Sequence, residues 1–142
     1  MNNPQDFYYA SMNDVNPLLG EIGMDLLQQN GTGFSLDLDG DEIPPAYYVS
    51  VEGHLREIPF DRISQMDIFN YAYDKVNTLK DPDVFFGAWR DPDTDNVNLD
   101  VSRSFQVLED ALAFGQTHHQ KAIWDGFNNS PIAVPDEHPE AS

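Results

Sequence analysis

Apolar residues recur along this chain with two periods, and the switches between them divide it into elements. In "PLLGEIGMDLLQQNG" Leu18, Leu19, Ile22 and Leu26 fall at helical spacing. Asn16-Pro17 supplies a cap and a first helical position, and Asn30-Gly31 a stop. "GFSLDLDGDEI" alternates Phe34, Leu36 and Leu38, predicting a half-buried strand that runs into an Asp-Gly turn. Pro44-Pro45 forbid helix and separate it from "AYYVSVEGHLREIPF". There Glu52-Gly53 lies between two strand-like runs and predicts a second hairpin, with Tyr47, Val49 and Val51 inward.

The strongest helical stripe is Ile63, Met66, Phe69, Tyr73 and Val76, with Asp61 or Ser64 as its cap. "DVFFGAWR" and "VNLDVSRSF" read as two strands joined by an aspartate-rich loop. "QVLEDALAFGQTHHQ" predicts a helix with Val107, Leu108, Ala111, Leu112 and Phe114 inward, and "KAIWDGF" and "SPIAV" close the chain as short strands. This order predicts an α+β fold, an antiparallel sheet built from hairpins with about three helices packed on it. A split β-α-β core of the ferredoxin type fits the same order. Residues 1–133 read as a single acidic domain and 134–142 as a flexible polar tail.

Charge is what sets the chain apart. Among 142 residues, 25 acids face 7 bases, a net charge of −18. Asp outnumbers Glu by 18 to 7, which favours turns and caps over long charged helices. No Lys or Arg precedes Arg56, whereas nine acids do. Such a field excludes direct contact with nucleic-acid phosphates and disfavours an anionic membrane surface. The nine Phe, six Tyr and two Trp nevertheless provide for a packed core. With no cysteine there is no disulfide, thiolate nucleophile or Cys-based zinc site. No signal-like start or membrane-length apolar run is present, and a cytoplasmic location is expected.

The loop "RDPDTDN" poses the sharpest chemical question. Asp91, Asp93 and Asp95 occupy positions 1, 3 and 5 of an EF-type calcium loop, with Asn96 in place of the usual glycine at 6. Position 12 is Ser102, which supplies no bidentate carboxylate, and Val97 to Val101 alternates like a strand. The expectation is a hairpin loop whose Asp and Asn bond their own backbone. "DLDGDE", with Asp37, Asp39 and Asp41, fails the same count and reads as an acidic turn. His118-His119 are adjacent, point about 100° apart on a helix and cannot chelate one ion as an i, i+4 pair would. No nucleophile motif or phosphate-cradling glycine loop occurs, so no catalytic residue, metal site or cofactor is assigned. Most aromatics follow core periodicity, and Tyr8, Tyr9 and Tyr71 are expected outside the core as interface anchors.

Glu21 and Asp25 stand one helical step apart on one face, and Asp67 and Asp74 stand seven residues apart on one face of the second helix. Like charges so placed are destabilising, which points to a use beyond solubility. "HLREIPF", "FFGAWRDPDT", "LDVSRSF" and "QKAIWDGF" together resemble a type of small uncharacterised protein from phages and plasmids, over about residues 54–127. That resemblance carries no activity or site residues, but it implies a mobile-element origin, where small acidic proteins look like inhibitors of host defence nucleases. The reading is a non-catalytic acidic inhibitor, of anti-restriction or anti-CRISPR type, that binds a basic nucleic-acid-binding protein by nucleic-acid mimicry. Its candidate contacts are Glu21, Asp25, Asp37, Asp39, Asp41, Asp91, Asp93 and Asp95. Two alternatives stay open: an acidic accessory or housekeeping domain of a salt-adapted organism, and a calcium-binding module.

Overall fold

A computed structural model describes residues 15–30 and 33–135. The elements in chain order are α1 (Leu19–Asn30), β1 (Gly33–Leu36), β2 (Tyr47–Ser50), β3 (Arg56–Pro59), α2 (Gln65–Asp74), a single turn α3 (Val76–Leu79), β4 (Val84–Arg90), β5 (Asn96–Phe105), α4 (Leu108–Thr117), β6 (Ala122–Asp125) and β7 (Ser130–Ala133). All seven strands join one antiparallel sheet in the order β1-β4-β5-β2-β6-β7, with β3 also paired to β5. The class is α+β, as the periodicity predicts.

The connectivity goes further. Strands β2 and β4 both run antiparallel to β5, which lies between them, so β2-α2-β4 is a split β-α-β unit. Strands β5 and β6 are split by β2 in the same way, with α4 as the crossover. The four central strands β6-β2-β5-β4 thus carry ferredoxin-type connectivity, with β1 and β7 added as edges.

Alternation in β5 decides which face is buried. Val97, Leu99 and Val101 point to the helices and are fully enclosed, whereas Asn98, Asp100 and Ser102 point the other way. Register carries that face across the sheet, through Leu99 opposite Ala88, Val101 opposite Phe86 and Phe86 opposite Leu36. Leu19 and Leu27 of α1, with Ile68, Tyr71 and Ala72 of α2, complete the larger core. A smaller core forms where Ala111 of α4 meets Val49 and Ile123 on the same side of the sheet. Ser64 begins α2 with a capping box, its hydroxyl accepting from Asp67 N–H while the Asp67 carboxylate accepts from Ser64 N–H.

Several expectations are corrected here. Glu52-Gly53 does not close a hairpin: β2 and β3 lie in line along one edge of β5 and do not pair with each other. From Ser50 to Arg56 the chain advances six residues while β5 advances three, from Ser102 to Leu99, so the surplus bulges out. Tyr71 is fully buried, its ring beside Phe86 and its hydroxyl donating to the His54 carbonyl, so it anchors the bulge and no interface. Met66 and Val107 are exposed, because α2 turns Ile68 and Ala72 inward and Val107 precedes the first turn of α4. Asp67 is the cap partner and Asp74 pairs with Arg56 at 3.4 Å, so these two carboxylates are not the unrelieved pair that their spacing implies. Val134, at the junction of the predicted last strand and the predicted tail, donates its N–H to the Lys121 carbonyl at 2.9 Å and packs on the α4 core. Tyr8, Tyr9 and residues 136–142 lie outside the described residues.

Removing the Tyr71 hydroxyl (Tyr71→Phe) is expected to cost about 1 kcal/mol in urea unfolding. Phe86→Ala, which empties the core's centre, is expected to cost about 3–5 kcal/mol.

Candidate functional site

The eight candidate carboxylates do not share one surface. Asp37, Asp39 and Asp41 form the turn after β1, and Asp91, Asp93 and Asp95 form the loop between β4 and β5. Because β1 runs antiparallel to β4, these turns sit at opposite ends of the seven-residue β4, roughly 20 Å apart. Glu21 and Asp25 stay on the exposed face of α1.

Each turn uses part of its charge internally. One Asp37 carboxylate oxygen accepts from the N–H groups of Asp39 and Asp41, at 2.9 and 3.0 Å. Gly40 takes a left-handed conformation in this turn (φ 87°), and a Cβ there would come within 2.8 Å of Ile22. The carboxylates of Asp37, Asp39 and Asp41 approach one another within 4.8 Å. That is three ligands where calcium takes six to eight, one of them already committed to the backbone. In the other loop Asp91 accepts from Asp93 N–H at 2.9 Å, the self-bonded hairpin that the spacing predicts. Asp95 is tied to Arg90 at 2.7 Å, and Arg90 in turn lies over the Phe60 ring at 3.6 Å. Of that trio only Asp93 presents a carboxylate with no partner among the described residues.

Around the first turn the acids accumulate. The α3–β4 connection places Asp81 and Pro82 beside Asp37 and Asp39, framing an open hollow of about 500 Å³ with Lys80 on its rim. Asp81 and Asp83 share Arg103, at 3.3 and 3.9 Å. Asp39, Asp41 and Glu42 remain exposed at this end.

The second feature, which the sequence did not single out, is the face of the sheet that no helix covers among the described residues. It holds a trough of about 690 Å³. Its floor is small and polar, formed by Ser35, Gly87, Ser50 and Ser102 around the carboxyl of Asp100. Its walls are aromatic. Trp89 stands at one end, 50% exposed, and Trp124 at the other, 41% exposed, with the Tyr48 and Phe85 rings edge to face at 4.9 Å along one side. Both of the chain's tryptophans therefore line one concavity.

Asp100 sits within β5 opposite the bulge between β2 and β3, between the Ser50–Ser102 and Arg56–Leu99 pairs. Burial raises its pKa above the ordinary carboxylate value, opposed by hydrogen bonds from the Ser50 hydroxyl and Val101 N–H and by nearby His54. His54 is pushed down in turn, first by burial and then by Lys75, and favours its neutral form. A partly dehydrated carboxyl thus shares the trough with exposed Trp89, with no Lys or Arg salt-bridged to it among the described residues.

Among the described residues no helix is long and apolar enough to cross a membrane. Comparison with known proteins finds no protein family, no curated relative and no solved structure that matches this chain.

The sign of the Asp100 shift gives a prediction. A folded-state pKa raised above the unfolded one means the ionised carboxylate opposes folding, so stability falls as pH rises through the folded value. Asp100→Asn keeps an acceptor for Ser50 and Val101 and removes that charge. It is expected to raise Tm by roughly 3 °C at neutral pH and to leave it unchanged near pH 3, read by thermal scans at both.

Proposed function

We propose that this protein is a non-catalytic acidic inhibitor of mobile-element type, which binds a basic nucleic-acid-binding protein in the cytoplasm by standing in for nucleic acid. The observation that carries the reading is the distribution of charge at the turn after β1. There Asp37 and Asp39 share a hollow with Lys80 and Asp81, Asp81 and Asp83 hold Arg103, and Asp41 and Glu42 lie exposed on the same turn, so negative charge is left over at this end of the sheet. Three of the seven basic side chains, Arg56, Arg90 and Arg103, are already held by Asp74, Asp95 and the Asp81–Asp83 pair. The surplus is therefore available to an outside cation.

Carboxylates fixed by backbone turns are suited to a groove built for phosphates. They arrive ordered, and binding relieves the mutual repulsion that they carry in the free protein. The loop of Asp91 and Asp93, with Glu21 and Asp25 on α1, adds long-range attraction and speeds encounter. The primary contact is the end bearing Asp39 and Asp41.

The test is capture from nuclease-treated bacterial lysate on immobilised protein. Nucleic-acid-binding proteins are expected to be retained at about 50 mM salt, released at about 500 mM and displaced by added duplex DNA. Asp39→Asn with Asp41→Asn, which spares the structural Asp37, is expected to weaken capture about tenfold at low salt. Retention that ignores both salt and DNA would refute mimicry and leave an acidic accessory domain of a salt-adapted organism as the reading.

A further inference from the structure

The trough on the face left open by the described helices has a chemistry of its own, and the geometry points to a binding site for an arginine side chain of a basic peptide segment, with Asp100 as its anion and Trp89, two positions along on the neighbouring strand, as its stacking wall. Three observations on that face converge. The floor is paved with serines and a glycine, which leaves room above Asp100. The carboxyl at its centre accepts from Val101 N–H at 2.9 Å, and no Lys or Arg forms a salt bridge with it among the described residues. Exposed Trp89, diagonal to Asp100 across the β4–β5 pair, presents a π face that favours a flat cation.

Competing occupants fit less well. A nucleotide would bring phosphates to a chain of net charge −18, and a second copy of this chain would bring another such charge. A neutral apolar ligand would bury the Asp100 carboxyl further and supply no charge or donor to offset that cost. Guanidinium satisfies both parts of the site at once, because it is planar enough to lie along an indole and offers a fork of N–H donors to a carboxylate. An ammonium lacks the plane, so arginine is preferred to lysine.

The assignment deepens the reading of a basic partner, and rests on it for who supplies the arginine. The measurement needs no partner, so the two stand or fall separately. The probe is a short capped peptide alternating arginine and serine, titrated into the full chain while the fluorescence of Trp89 and Trp124 is followed. Its controls are the same peptide with citrulline, a neutral isostere, or lysine in place of arginine. Saturable change is expected with arginine, at least about tenfold weaker with citrulline and weaker with lysine.

Asp100→Asn is expected to weaken arginine-peptide binding at least about tenfold, whereas Asp39→Asn, the same charge change on the distant turn, is expected to change it less than about threefold. Ser102→Leu, which fills the floor while keeping a strand residue, is expected to abolish the fluorescence change with Tm retained. Equal losses in Asp100→Asn and Asp39→Asn, or equal binding of citrulline and arginine peptides, would overturn the assignment. So would undiminished binding to Ser102→Leu, which keeps the proposal testable should Asp100→Asn fail to fold.

Discussion

Strand β5 is the constraint on which the rest of the molecule depends. Its ten residues pair with β4 along one edge and with β3 and then β2 along the other, so it fixes the register of the central sheet. Its alternation of Val97, Leu99 and Val101 with Asn98, Asp100 and Ser102 then assigns each neighbouring residue to the helix-covered or the open face. A slip of one residue would turn the valines to solvent and bury Asp100 in the core. The cost of that exchange makes the register unique.

The same strand creates the trough's centre. Two short strands share one long edge, and the surplus residues between them leave Asp100 facing a gap instead of a continuous ladder. Tyr71 ties the underside of that bulge to the core through the His54 carbonyl, so the opening is supported from below. A carboxyl held away from solvent by this architecture opposes folding in its ionised form, and such local costs accumulate at functional positions.

Charge works on a second level. The turns satisfy their own backbones first: Asp37 closes one, Asp91 another, and Asp125 holds the β6–β7 turn by accepting from Phe127 and Asn128. Arg90, Arg103 and Arg56 take further carboxylates. Among the described residues, what remains outward includes Asp39, Asp41 and Glu42 beside the turn after β1. Net charge alone does not reveal which acids these are, because an aspartate that caps a turn and one that faces outward look alike in a sequence.

The sequence by itself determined the α+β class, the long helices and the hairpin nature of the 91–95 loop, since periodicity, caps and self-bonding aspartates are local properties that act within a few residues. It misread Glu52-Gly53, because a turn signal states that the chain bends and not which strand the next segment joins. It misplaced Tyr71, because α2 rotates its buried stripe toward Ile68 and Ala72 only when β4 and α1 pack against it. The trough was out of reach for the same reason. Trp89, Asp100, Tyr48 and Trp124 belong to four different strands, and only the pairing of β4, β5, β2 and β6 sets them on one face. Local chemistry wrote the elements, and non-local register decided which side chains share a face.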